Sequence, residues 1–108
     1  PGTNNLKTDA RVLQLLQKMS AQDKYVTAIC AAPSVLATAG LLNGKRATSF
    51  PNALSSFPNI DLQTAAVVED GKLITSRGPG TAMDFSLTLL ERLLGAEKRV
   101  EVEAGLVR

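Results

Sequence analysis

Tyr25-Val26-Thr27-Ala28-Ile29-Cys30-Ala31-Ala32-Pro33-Ser34 is the stretch from which the rest of the chain can be read. Its first half is short, apolar and partly β-branched, which predicts a strand over Tyr25 to Ile29. Pro33 suits a first helical position, where no amide hydrogen is needed, and the spacing predicts a helix over Ser34 to Ala39. Cys30 falls on the sharp turn between them, and Ala28, Ala31 and Ala32 are small enough to leave room for that turn. A sulfur held there meets the free amide donors and positive end of the helix, which favours thiolate over thiol. On these residues alone two readings stay open: a nucleophile, or a buried cysteine acting as a small inert hydrophobe.

The strand is too uniformly apolar for an exposed edge and reads as an inner parallel strand covered on both faces. Before it, Thr8 is a plausible N-cap, and Val12, Leu15, Leu16 and Met19 recur at helical spacing. A helix over Asp9 to Ser20 follows, with Gln14, Gln17 and Lys18 as its wet face. Helix, strand, turn and helix then form a crossover unit with Cys30 at the carboxyl end of a strand, where open α/β sheets place their ligands.

Downstream, Gly40 ends the helix, Asn43-Gly44 marks a turn, and Arg46 to Ser49 reads as a short strand closed by Phe50-Pro51. Residues Asn52 to Asp61 read as a loop. Asp70-Gly71, flanked by Thr64 to Glu69 and Lys72 to Thr75, predicts a hairpin with a type I′ turn. Arg77-Gly78-Pro79-Gly80 breaks the second strand, and Thr81 to Asp84 fits a capping-box variant opening a helix to about Leu94. That helix carries two apolar rows: Met83, Leu87, Leu90 and Leu94 in one, Phe85, Leu89 and Leu93 in the other. One row can cover the sheet, and the other needs a second surface. Residues Glu97 to Leu106 predict a final amphipathic helix.

Length and composition narrow the function. A chain of 108 residues with 44% apolar and 20% charged residues suits one globular domain. A net charge of +2, with the basic residues scattered and aromatics at only 4%, argues against a nucleic-acid surface. No apolar run approaches the length of a membrane span, so no membrane partner is expected. A single cysteine forms no internal disulfide, which points to a reducing cytoplasm. Histidine is absent, so the chain by itself cannot assemble a Cys-His dyad. One thiol without histidine argues against a metal site.

Three segments resemble the ThiJ/PfpI superfamily, in particular the branch of the parkinsonism-associated deglycase and its bacterial relatives. Ala28-Ile-Cys-Ala-Ala-Pro33 is similar to that branch's nucleophile elbow, Thr75-Ser-Arg-Gly-Pro-Gly-Thr81 to its second signature, and Pro1-Gly-Thr-Asn-Asn-Leu6 to the tail of its glycine-rich oxyanion loop. The protease-like and amidotransferase-like branches rely on a histidine partner, and the composition argues against them. The resemblance implies a flavodoxin-like three-layer α/β/α sandwich with a mostly parallel sheet, of which residues 1–108 would form the C-terminal half.

The resemblance also implies the chemistry. Cys30 would be the nucleophile, the Ala31 amide half of the oxyanion site, and Phe50, Arg77, Gly78 and Pro79 the pocket walls. The expected reaction is cofactor-independent attack on methylglyoxal, glyoxal or an early glycation adduct through a hemithioacetal. A different class, an oxidation-sensing chaperone using a Cys30 sulfinate without turnover, fits the same thiol. The expected partners are a small carbonyl substrate, the N-terminal half of the domain as a separate chain carrying the missing strands, oxyanion loop and acid, and a second copy in a homodimer. Without that half, the polypeptide is not expected to hold a stable, active fold.

Overall fold

Leu73 to Ser76, the strand β5, lies at the centre of the architecture because all four of its side chains are buried. In this computed structural model, which describes residues 2–107, β5 has a neighbour on each side. Val26–Ile29 (β1) pairs with it in parallel, Val26 opposite Leu73 and Ile29 opposite Ser76. Val67–Asp70 (β4) pairs with it antiparallel, Asp70 opposite Leu73. A second, two-stranded parallel sheet joins Arg46–Ala47 (β2) to Asp61–Leu62 (β3). The chain is thus an α/β protein with parallel and antiparallel pairs, and among the described residues β1 has one strand neighbour, not two.

Among the described residues, five α-helices frame these strands: Gly2–Lys7 (α1), Ala10–Ala21 (α2), Pro33–Thr38 (α3), Ala82–Leu94 (α4) and Ala96–Gly105 (α5). The principal core gathers Val26, Ala28, Leu36, Leu42, Ala47, Leu54 and Leu73, with Leu16 and Met19 of α2 packed against it. Leu15, counted in the same stripe by spacing, is 59% exposed. Gln17, read as part of the wet face, instead donates from Nε2 to the Ala39 carbonyl at 3.0 Å. Helix α2 therefore docks through two apolar side chains and one polar bond, and none of its residues is fully buried.

Several local readings shift by one residue, each for a visible reason. The N-cap of α2 is Asp9, whose carboxylate accepts the Arg11 N–H at 2.9 Å. Thr8 looks backward, its hydroxyl donating to the carbonyls of Asn4 and Asn5 at the end of α1. The hairpin loop is Gly71-Lys72, not Asp70-Gly71, because Asp70 stays in β4 and its carboxylate accepts the Arg46 N–H at 2.9 Å. Only Gly71 of the loop has positive φ, 63°, the pattern of a type II′ turn. Strand β2 stops at Ala47, two residues short of the expected Ser49, and β3 lies where the end of a loop was expected. Thr81 precedes α4 but makes no side-chain cap to it.

The two apolar rows of α4 are covered unequally. Leu87 is buried, whereas Met83, Leu93 and Leu94 remain 46%, 64% and 63% exposed. Arg92 on the same helix ties α4 to β4, donating from Nε to Glu69 Oε1 at 2.6 Å and from Nη2 to Oε2 at 3.1 Å. This two-pronged pairing holds the Glu69 carboxyl below its usual value of 4.5. A depressed carboxylate contributes stability that is present above its unfolded pKa and is lost as pH falls through its folded pKa. Both side chains are a third or more exposed, so the contribution is about 0.5–1 kcal/mol. Glu69→Gln should lower stability by that amount at neutral pH and narrow the gap to wild type below about pH 4, as read by urea denaturation across a pH series.

The middle of β5 carries a polar side chain in the core. Thr75 is fully buried, and its hydroxyl accepts the backbone N–H of the equally buried Thr48 at 2.9 Å. This bond fastens the residue that follows β2 to β5. Thr75→Val keeps the shape and deletes the acceptor, leaving a buried N–H unpaired, and should cost about 2 kcal/mol in urea denaturation; an unchanged midpoint would show that the bond does not hold the two strands together.

Candidate active site

Cys30 leaves β1 with φ at +64°, a left-handed conformation that is uncommon for a residue with a side chain. Two backbone bonds hold it there: its N–H donates to the Ser76 carbonyl at 3.0 Å, and its carbonyl accepts the Phe50 N–H at 2.7 Å. The small residues beside it make the turn possible. Pro33 is the first residue of α3, as the sequence pattern predicts, with Ala32 as its N-cap, and the helix ends at Thr38, one residue before the expected Ala39. The thiol is free and partly buried.

The amides that follow differ in their use. The Ala32 N–H donates to Ile29 O at 3.1 Å, and the Ser34 N–H to Ala31 O at 3.1 Å. No hydrogen bond from the Ala31 N–H is found among the described residues. Ala31 therefore presents the one spare donor directly after the sulfur-bearing residue, the position an oxyanion donor requires.

Of the expected pocket residues, Phe50 and Gly78 come together: a Cβ built on Gly78 would lie 3.5 Å from the Phe50 ring. Phe50 is 48% exposed and stands as an open wall. Phe50, Arg77 and Gly78 line a cleft of about 270 Å³ with Pro51, Gly80 and Thr81. Pro79 starts the short 3₁₀ turn Pro79–Thr81 and does not line that cleft. Arg77 holds the preceding loop, donating from Nη1 to Thr64 O at 2.8 Å and from its N–H to Ala66 O at 3.2 Å.

The sequence reading missed a hydroxyl pair under this wall. Ser76 Oγ donates to Ala66 O at 2.8 Å and lies 2.6 Å from Thr81 Oγ1, which in turn accepts the Gly78 N–H at 3.1 Å. Thr81, expected to cap α4, thus ties the Gly78 loop to the end of β5. Its burial was the missing signal, and no spacing rule reports it.

A second cleft, of about 530 Å³, adjoins the elbow on the other side. It is lined by Gly2, Thr3, Asn4, Lys7, Ala31, Ser34 and Ala53. Residues 2–6, expected as the tail of a glycine-rich loop, form most of the one-and-a-half-turn helix α1, of which Gly2, Thr3, Asn4 and Lys7 border this space. Cys30 lines neither cleft; Ala31 belongs to one and Phe50, bonded to the Cys30 carbonyl, to the other. A further cavity of about 280 Å³ lies at the opposite end of β1 and β5, beside Val26 and Leu73.

A strained cysteine between a β-strand and a proline-initiated helix, with an unspent amide after it, is the arrangement on which comparison with known proteins bears. Residues 1–92 match the DJ-1/PfpI family. The chain belongs to that family. It is 43% identical to the Protein dj-1beta of Drosophila melanogaster over 110 residues, covering 98% of this chain and 58% of that protein. The crystal structure of Drosophila DJ-1beta superposes with a TM-score of 0.92 at 42% identity, again over 98% of this chain and 58% of that one. Toxoplasma gondii DJ-1, solved in oxidized form, gives a TM-score of 0.89 at 34% identity over 97% of this chain and 57% of that one. An isonitrile hydratase of Pseudomonas putida is 37% identical over 99 residues, 89% of this chain and 43% of that protein. The chain thus spans rather more than half the length of these Drosophila and Toxoplasma proteins, and 25% of the Protein DJ-1 homolog B of Arabidopsis thaliana.

The elbow geometry is directly testable. At φ +64° an alanine keeps the steric strain and a glycine releases it. Cys30→Gly should be more stable than Cys30→Ala by about 1 kcal/mol in urea denaturation, and equal stabilities would show the turn to be unstrained.

Proposed function

We propose that this DJ-1/PfpI protein is a cysteine-dependent glyoxalase or deglycase-like enzyme acting on small reactive carbonyls, and the observation that carries this reading is the strained Cys30 followed by the unpaired Ala31 amide. The sulfur adds to the aldehyde carbon of methylglyoxal or glyoxal, and the oxygen of the resulting hemithioacetal meets the Ala31 N–H. A proton moves from the former aldehyde carbon to the neighbouring carbonyl carbon through an enediol. This oxidises the first carbon and reduces the second with no external oxidant. Water then releases the 2-hydroxy acid and restores the thiol. Early glycation adducts present the same carbonyl chemistry. Phe50, Gly78 and the loop held by Arg77 supply the wall on the side away from α1.

No side chain within this chain is assigned as the acid that moves the proton. In this reading it comes from the remaining length that the DJ-1 relatives possess, supplied as an N-terminal half that also pairs with β1, and the complete domain works as a homodimer in the cytoplasm. The second row of α4, with Leu93 64% exposed, is consistent with a further covering surface.

The experiment is lactate formation from methylglyoxal by this chain together with the N-terminal half. Cys30→Ser should retain the fold and lose at least about 100-fold in kcat/KM, and retention of activity by that variant would end the enzymatic reading. A second reading is favoured by the oxidized form in which the Toxoplasma relative was solved: Cys30 advancing to a sulfinate as an oxidation-sensing chaperone. Peroxide-dependent sulfinate in a protein without turnover would select it.

A further inference from the structure

Asn43-Gly44, read from the sequence as a turn, has no part in the chemistry of Cys30 and carries a reactivity of its own. It is the single Asn-Gly step in the chain. Asn4, Asn5, Asn52 and Asn59 are each followed by a residue with a side chain, which crowds the next amide nitrogen. The Lys45 N–H closes the turn by donating to Leu42 O at 3.0 Å, and Gly44 takes φ +71°, the pattern of a type II turn. Both turn residues are exposed, and no hydrogen bond of the Asn43 side chain is found among the described residues. A Cβ built on Gly44 would meet nothing within 4 Å, so sterics leave its nitrogen open to the Asn43 side chain. One bond restrains it: the Gly44 N–H donates to Asn59 O at 2.8 Å, the rung that precedes the pairing of β2 with β3. The comparable step Asp70-Gly71 is held differently, because the Asp70 carboxylate is turned to the Arg46 N–H at 2.9 Å.

We propose that Asn43 is a site of spontaneous deamidation, released only when the Gly44 N–H leaves Asn59 O. The freed nitrogen loses its proton to solvent and attacks the amide carbon of the Asn43 side chain. A new C–N bond closes a succinimide ring, and the side-chain nitrogen departs as ammonia. Water then opens the ring at one of its two carbonyls, giving aspartate or isoaspartate. One water is consumed, one ammonia is released, and no oxidation state changes. Aspartate places a negative charge beside Lys45 and Arg46, whereas isoaspartate routes the backbone through an extra methylene and lengthens the turn that leads into β2. The bond to Asn59 slows the first step because a donating N–H is both turned away from the side chain and stabilised against loss of its proton. Conversion in the folded protein then runs at the rate of the open chain multiplied by the fraction of time the rung is broken.

The test is peptide mapping of the protein, with its N-terminal half in place, during incubation at neutral pH, with aspartate and isoaspartate at position 43 resolved by chromatography and mass. Conversion in the folded protein should be at least about tenfold slower than in the same protein unfolded in urea. Hydrogen exchange of the Gly44 amide reads the same opening without any chemistry at Asn43. Ile60 follows Asn59 and packs against the core. Ile60→Ala should loosen that anchor and raise Gly44 exchange and Asn43 conversion together, by a common factor of about threefold or more. Urea below the unfolding transition raises the opening without a substitution, and the two rates should climb in step there as well. Asn43→Gln should show no conversion at that position and leave Gly44 exchange within about twofold of wild type. Equal conversion in folded and unfolded protein, no product in the unfolded protein, or conversion that stays constant while Gly44 exchange rises would each overturn the proposal. None of these readouts involves the thiol, so the outcome is independent of whether Cys30 turns over.

Discussion

Cys30 is held in a left-handed backbone by two hydrogen bonds from distant parts of the chain, and the site end of the molecule depends on them. The first joins its N–H to the last carbonyl of β5, and the second joins its carbonyl to the N–H of Phe50. A positive φ with a Cβ costs free energy of order 1–2 kcal/mol, so the conformation persists only where its surroundings over-determine it. The parallel pairing of β1 with β5 sets the first contact, and the fastening of the segment after β2 to Thr75 sets the second. Strain at the sulfur and burial of β5 are therefore one feature seen from two sides.

That dependence explains why so much polar chemistry is buried near the site. Thr48, Thr75, Ser76 and Thr81 are all nearly inaccessible. Hydroxyls in such places are tolerated when they hydrogen-bond, and that of Thr48 is the exception, with no partner found among the described residues. Here Thr75 receives the Thr48 amide, while Ser76 and Thr81 join β5, the loop at Ala66 and the Gly78 turn. An apolar core would pack these elements equally well, but it would not set the direction in which the Gly78 loop faces Phe50. The two clefts differ in their walls: one is formed by the Phe50 ring, Arg77 and glycine backbone, the other by Lys7 with small residues of α1 and the elbow.

The elements most legible in the sequence were those specified by local chemistry. Pro33 placed the start of α3, the apolar run placed β1, and the long period of α4 placed a helix that ends at Gly95, whose φ is +97°. Errors arose where a polar side chain had two possible partners. Thr8 could cap forward or backward, and Asp9 took the forward role. Asp70 could enter the turn or remain in the strand, and Arg46, 24 residues away in sequence, decided it. Gln17 looked solvated until Ala39 came within 3.0 Å. Strand β3 is two residues long and exposed, so it left no periodicity to find.

What the sequence by itself determined was the catalytic candidate, its turn, the family resemblance and the α/β class, because these rest on residue types at short spacing, where sterics and local hydrogen bonding act. Only the tertiary structure decided that β5 lies between β1 and β4, that Phe50 reaches the Cys30 carbonyl, that Thr81 serves the Gly78 loop, and that Lys7 opens onto the cleft beside Ala31. Those are contacts between segments far apart in the chain, or choices by side chains with several partners within reach. Their outcome depends on which groups the packed core brings within about 3 Å of each other, a quantity that no local pattern encodes.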